Sequence, residues 1–111
     1  MKPVAIHKAA QKTIRGFSKQ VRLELGSALF KVQLGMTLGL PVSRPMPGVA
    51  VGAHELRFRD ADGIQRVFYF MNSPSAILVF HAFVKKTPKT PANEMSLGAK
   101  RLQEMLSDET N

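Results

Sequence analysis

The residues best suited to hold an anion lie in the middle of the chain, on three successive strand-like segments. Arg57 is in the first, Arg66 in the second and His81 in the third, with Lys85 and Lys86 just beyond. If the two hairpins close symmetrically, Arg57 stands opposite Arg66, and Arg66 opposite His81. Side chains alternate along a strand, so all three share one face. Like charges paired across a sheet are unfavourable by a few tenths to about 1 kcal/mol. Folding alone gives no reason to place two arginines so, and an anion between them would remove the penalty. Glu55 or Asp62 could instead neutralise one of them. An ion pair of Arg66 with Asp60 or Glu55 is the purely structural reading. A bulge at Gly63 would slip the register by one residue and send the arginines to the other face.

The strands that must position these groups are bounded by turn signals. Asp60-Ala61-Asp62-Gly63 reads as a hairpin turn, with Gly63 free to take positive φ, and Asn72-Ser73-Pro74-Ser75 reads as a second turn. The strands are then about His54–Arg59, Ile64–Met71 and Ala76–Val84. Leu56, Phe58, Val67, Tyr69, Met71, Leu78, Phe80, Ala82 and Val84 form one face, apolar almost throughout. The other face has Phe68, Phe70, Ile77 and Val79 at one end and Arg57, Arg66 and His81 at the other.

Helices are expected to cover this meander. Pro3–His7 reads as a short strand, followed by a helix over Lys8–Phe17 that Gly16 ends early. Ser18 stands where a side-chain oxygen can cap the next helix. From Lys19 to Leu34, Val21, Leu25, Ala28, Leu29, Val32 and Met36 make one apolar stripe that closes at Gly35. Residues 37–52 hold three Pro and three Gly and read as a loop against the body, with Arg44 a solvated loop side chain or an extra phosphate contact. After a basic connector, Lys85–Lys89, Thr90 reads as an N-cap and Pro91 as the first helical residue. Met95, Ala99, Leu102 and Leu106 follow at helical spacing, and residues 107–111 are expected to fray. The whole predicts an α+β fold: a small antiparallel-type sheet, made of the three-strand meander and a short N-terminal strand, packed on an N-terminal helical hairpin. The C-terminal helix covers the apolar end of the mixed face and leaves the basic end open.

Composition narrows the function classes. The 111 residues fit one domain with a modest core. Sixteen Lys and Arg face eight Asp and Glu, for a net charge of +8. Before residue 90 the acidic residues are Glu24, Glu55, Asp60 and Asp62, so the excess lies in the body of the chain. A basic body points to a polyanion: nucleic acid, an anionic membrane or an acidic protein. The chain has no Cys, which excludes disulfides and thiolate metal sites. The longest apolar run, Ala76–Val84, is broken by His81 and is too short to span a bilayer. The N-terminal residues do not read as a secretory signal.

Glu55-Leu56-Arg57, Gln65-Arg66-Val67-Phe68-Tyr69, His81-Ala82-Phe83-Val84-Lys85-Lys86-Thr87, Thr90-Pro91 and the final helix together resemble the RelE/ParE toxin superfamily. The phage-derived, HigB-like branch is the most similar. The likeness covers about half of the chain, and the N-terminal hairpin agrees in layout. It implies one RelE-like domain over residues 1–111, the toxin of a type II toxin–antitoxin pair. Members are typically metal-independent mRNA endonucleases, often acting on the ribosome, with no cofactor. The implied partners are mRNA on the ribosome and a cognate helix-turn-helix antitoxin, in the cytoplasm and away from membranes. By motif, Arg66 falls on the family's YR arginine, Arg57 on a basic position of the preceding strand, and Lys85 and Lys86 in the basic turn. The sequence departs from the best-studied nucleases in having neither Tyr nor His over residues 87–106. His54 stands where an aromatic residue is common.

Metal-free RNA cleavage uses the substrate's 2′-hydroxyl as nucleophile. The protein must hold the backbone in line, stabilise charge on the phosphate and move protons. Arg57 and Arg66 are the candidates for the phosphate, since a guanidinium fork matches two of its oxygens. Lys85 and Lys86 are candidates for charge near the leaving oxygen, His81 for proton exchange near neutral pH and Glu55 for a base. Each also has a structural reading: His81 as a core histidine between Phe80 and Phe83, the lysines as a solvated turn, and Tyr69 as core. Two other functions compete. One is a ParE-like, non-catalytic inhibitor of a protein such as DNA gyrase. The other is a plain nucleic-acid-binding module. A private carboxylate clasp on Arg57 or Arg66 would count against the nuclease.

Overall fold

A computed structural model describes residues 1–86 and 90–110. Among these the elements run β1 (Val4–Ile6), α1 (Lys8–Arg15), α2 (Lys19–Gln33), β2 (Ser43–Pro45), β3 (Ala53–Asp60), β4 (Gly63–Phe70), β5 (Ile77–Lys85) and α3 (Ala92–Thr110). Of the expected connector, Thr87, Pro88 and Lys89 lie outside the described residues, as does Asn111 of the expected frayed end. No helix among the described residues is long and apolar enough to cross a membrane.

Local chemistry sets the helix ends. The His7 ring accepts from the Ala9 amide at 3.1 Å, and the Ser18 hydroxyl accepts from the Val21 amide at 3.2 Å. Each satisfies an amide that the first helical turn leaves without a partner. Gly35, at φ +88°, ends α2 and lets the Met36 amide return to the Lys31 carbonyl at 3.0 Å. The chain turns away there, so Met36 is exposed rather than extending the stripe that buries Val21, Leu25, Ala28, Leu29 and Val32.

The sheet is five-stranded, in the order β1-β5-β4-β3-β2. β1 runs parallel to β5, with Val4 beside Ile77 and Ile6 beside Val79, and the other neighbours are antiparallel. The β3–β4 hairpin closes on Gly63 in the expected register, Arg57 opposite Arg66. The β4–β5 pairing does not. Phe68 pairs with His81 and Tyr69 with Val79, so Phe80 is an extra residue on β5. This bulge exchanges the faces of the residues before it. Ile77 and Val79 join the core beneath α1 and α2, whereas Leu78 and Phe80 join the core beneath α3. Each is the reverse of the sequence expectation. The hairpin also closes one residue out of the expected register, Phe70 opposite Leu78, and with the bulge this puts Arg66 opposite Phe83 rather than His81.

A second difference is β2. The stretch expected as loop contributes an edge strand, with Ser43 opposite Leu56, Arg44 opposite Glu55 and Pro45 opposite His54. An edge position tolerates Pro45, whose nitrogen has no proton to donate.

Two apolar layers sandwich the sheet. Beneath α1 and α2 lie Leu56, Phe58, Val67, Tyr69 and Ala82, and the Tyr69 hydroxyl bonds Ser43 Oγ at 2.8 Å. Beneath α3, Phe68, Phe80 and Phe83 pack with Leu102 and the partly buried Met95, Ala99 and Leu106, the expected stripe. Gly98 faces the Phe68 ring, where an added Cβ would fall 2.9 Å from a ring carbon. At its far end α3 stays helical to Thr110 instead of fraying from Ser107. There the Glu109 carboxylate accepts from the hydroxyls of Ser73 and Ser75 in the β4–β5 connection.

Candidate functional site

The β2–β3–β4 register gathers cations around one carboxylate. Glu55 on β3 is fully buried. Its Oε1 accepts from Arg44 Nε at 3.1 Å and lies 3.8 Å from Arg57 Nε. Its Oε2 accepts from Arg66 Nη1 at 3.0 Å and from the Thr90 hydroxyl at 3.1 Å. Thr90 Oγ1 in turn accepts from Arg66 Nη1 at 2.6 Å and Arg44 Nη2 at 3.2 Å. Three guanidiniums therefore meet one carboxylate, which leaves an excess of two positive charges.

Access to solvent separates their roles. The Arg66 and Glu55 side chains are 0% exposed, against 27% for Arg57 and 36% for Arg44. Arg66 is buried in the clasp of Glu55, which counts against its taking a phosphate itself and to that extent against the nuclease, and Arg57 and Arg44 are the guanidiniums open to an external anion. Burial, and then the positive charge of Arg66, lower the Arg57 pKa, with Glu55 opposing them. The guanidinium still stays charged, and its environment favours a further negative charge. Asp60, the other candidate counter-ion, instead accepts from Gln65 Nε2 at 2.7 Å.

His81 belongs to a separate group. It is 2% exposed, and its ring lies 5.5 Å from those of both Phe68 and Phe83. Nε2 is 2.8 Å from Glu94 Oε1, and Nδ1 is 2.7 Å from Arg101 Nη1. A guanidinium only donates, so Nδ1 accepts and the ring proton sits on Nε2, facing Glu94. Burial lowers the His81 pKa, Arg101 lowers it further and the hydrogen bond to Glu94 opposes them, so the ring is neutral near pH 7. The predicted row of Arg57, Arg66 and His81 is therefore split: the arginines meet at Glu55, and His81 ties β5 to α3.

Lys85 is half-buried at the end of β5, opposite Ile64, and Lys86 is exposed. Register and alternation put Arg57, Arg59, Arg66 and Lys85 on one face of this end of the sheet. Among the described residues no group of His, Asp and Glu is arranged to hold a metal.

Residues 12–103 match the model of the family described as phage derived protein Gp49-like (DUF891). The chain belongs to this family. The matched span includes Arg44, Glu55, Arg57, Arg66, His81, Lys85, Lys86 and Thr90. The Gp49-like family is a RelE-like toxin family of toxin–antitoxin systems, in agreement at that level with the likeness carried by the ELR, RVFY and FVKKT segments. No curated protein matches the chain.

Three participants of these clusters, Thr90, Glu94 and Arg101, carry no site role in the sequence, and Arg44 is left between two roles there. The sequence allows Arg44 to be a solvated loop side chain or an extra phosphate contact, and the signal for its edge strand, three residues between prolines, is weak. Thr90 was expected to cap α3. Its hydroxyl goes to the guanidinium cluster instead, while the Pro91 carbonyl accepts from the Glu94 amide at 3.1 Å. Glu94 and Arg101 lie seven residues apart on α3, two helical turns, and so on one side of the helix.

Proposed function

We propose that this Gp49-like protein is the toxin of a type II toxin–antitoxin pair, of the HigB-like branch, and a metal-independent mRNA endonuclease acting on ribosome-associated message. One RelE-like domain over residues 1–111 carries the activity, in the cytoplasm. The observation that supports this most is the convergence of Arg44, Arg57 and Arg66 on a single buried carboxylate. Glu55 is shared among the three, so it neutralises one charge and fixes the geometry of the rest. In this reading Arg57 and Arg44 take the phosphate oxygens, and Arg66 positions them through Glu55 and Thr90. Positioned cations of this kind act on charge that develops in the transition state. Lys85 and Lys86 supply charge, and an exchangeable proton, near the leaving oxygen. Glu55 serves as a pivot rather than a base, and His81 as the link to α3. A cognate helix-turn-helix antitoxin with an acidic segment would mask the basic end of the sheet.

A second reading is a non-catalytic inhibitor that docks its cations on an acidic protein target such as DNA gyrase. It is favoured by the internal engagement of Glu55 and His81, two buried groups able to move a proton.

Induction in a bacterium, with transcriptome-wide mapping of RNA 5′ ends, tests the proposal. The nuclease reading expects new, clustered 5′ ends with growth arrest, and neither with Arg57→Ala. Growth arrest with unchanged RNA ends and induced DNA damage would establish the second reading instead.

A further inference from the structure

The cluster at Glu55 accounts for one face of the β3 edge, but Arg57 also lines a cavity on the other. Beyond Leu56, β3 keeps one bond to the preceding chain, the Arg57 amide to the Val42 carbonyl at 2.9 Å, and from there its edge, with Pro41 and Val42, forms one wall of a groove of about 440 Å³. The opposite wall is α2, which presents Glu24, Ser27 and Lys31, and the apolar lining includes Phe58 and Leu38. A second depression, about 240 Å³, shares Arg57, Phe58 and Arg59 with the first and reaches Ile64. A third, about 350 Å³, shares Arg59 and Ile64 with the second and ends at Lys86. The three adjoin in succession through lining residues they have in common. They form one track around the β3 edge, along which Lys31, Arg57, Arg59 and Lys86 follow one another.

The geometry points to a path for single-stranded RNA, with one nucleobase in the α2–Phe58 groove and the adjoining phosphates on Arg57, Arg59 and Lys86. This rests on the RNA-directed reading above and deepens it by naming the strand's route and a base-selecting residue. A flat, apolar base suits the Phe58 side of the groove, and a row of separated cations suits a backbone that carries one charge per nucleotide. The track holds two carboxylates: Asp60 is engaged by the Asp62 amide and Gln65, and Glu24 lines the groove, where a carboxylate disfavours phosphate. Glu24 can instead accept a hydrogen bond from an exocyclic amine, which adenine, cytosine and guanine have and uracil lacks. Gln20 Nε2 donates to Glu24 Oε1 at 3.1 Å and steadies the carboxylate. Ser27 adds a hydroxyl that can donate or accept on the same wall. Glu24, Lys31 and Arg59 are all exposed, so their replacement leaves both apolar layers intact.

The test is direct binding, without turnover, of 2′-O-methylated RNA hexamers (A6, C6, G6 and U6) to the full chain. Fluorescence anisotropy would be read across a salt series. U6 is expected to bind most weakly. Arg59→Ala should reduce the slope of log K against log salt by about 0.7, the contribution of one phosphate contact on a single strand. Glu24→Gln should bring U6 within about twofold of the others, because the amide can also donate to a uracil carbonyl. Unchanged salt slopes in both Arg59→Ala and Lys31→Ala would overturn the path. An unaltered rank order in Glu24→Gln would overturn the role of that residue. Because no cleavage is read, the outcome is separable from the nuclease proposal. Hexamer binding with unchanged cellular RNA ends keeps the path and removes the nuclease. Cleavage in cells with normal binding by Arg59→Ala does the reverse.

Discussion

Arg57 and Arg66 stand directly opposite each other on β3 and β4, and both turn toward the carboxylate of Glu55. Their mutual repulsion is offset inside the protein, at different depths. Arg66 is sealed in and Arg57 reaches solvent, so equivalent truncations should have unequal effects.

Arg66→Ala removes one partner of a fully buried ion pair, a change of about 3–5 kcal/mol. Against a total stability of roughly 5–15 kcal/mol, that brings the protein close to unfolding. Arg57→Ala removes a partly exposed cation at the longer distance of 3.8 Å and should shift stability by about 1 kcal/mol or less. Urea midpoints of the two variants check this, and equal losses would contradict the division between buried and open guanidiniums. Arg57→Ala is therefore the cleaner probe of function, since loss of activity in Arg66→Ala would be confounded with loss of fold.

Thr90→Val deletes the hydroxyl that joins the start of α3 to Glu55, Arg66 and Arg44 while keeping the side-chain shape. Hydrogen bonds to charged groups contribute about 1.5–3 kcal/mol. A loss of that order is expected, with faster amide exchange in the first turn of α3, and Thr90→Ser should restore most of it. No change in exchange at Glu94 and Met95 would argue that α3 is anchored elsewhere.

Acid should weaken the fold through His81. Its pKa is lowered in the native state, so between that value and the unfolded value near 6.5 the unfolded chain binds the proton more readily. Stability then falls as pH drops below about 6.5, and this loss stops growing below the native pKa. Urea midpoints from pH 8 to pH 5 should show the decline, and His81→Gln should flatten it. An NMR titration midpoint for the His81 ring above 6.5 would reverse the sign and refute the prediction.

Gly98→Ala should lift α3 from the sheet. The new methyl group would meet the buried Phe68 ring at 2.9 Å and 3.1 Å. Overpacking of this kind is unfavourable by about 1–3 kcal/mol, enough to outweigh the better helix propensity of Ala. A thermal melt at least as stable as the parent's would show that the ring can step aside.

The hairpin that places Arg57 against Arg66 was legible because Asp60-Ala61-Asp62-Gly63 admits few other conformations and the alternation around it is clear. The β5 register was not. Ile77, Leu78, Val79 and Phe80 are all apolar, both faces of the strand are covered, and a bulge among them leaves no mark in the hydrophobic pattern. His81 lies on the expected face, but the bulge and a hairpin that closes at Phe70 and Leu78 give it Phe68 rather than Arg66 as its neighbour. Arg44 was obscured by the prolines and glycines around it, which outweigh a three-residue strand. The burial of Arg66 depended on Thr90, a residue from a distant element whose hydroxyl also had a plausible local use. Contacts within a hairpin follow from nearby residues, whereas contacts between elements depend on how the helices settle.

The parallel pairing of β1 with β5 bears on how the molecule is made. Val4 waits for Ile77, and Ile6 for Val79, so β1 leaves the ribosome about seventy residues before its neighbour does. Pairings this distant in sequence slow folding. The hydroxyl that locks the guanidiniums comes later still, from residue 90. A chain cut short before residue 90 therefore has its cations in sequence but not in array.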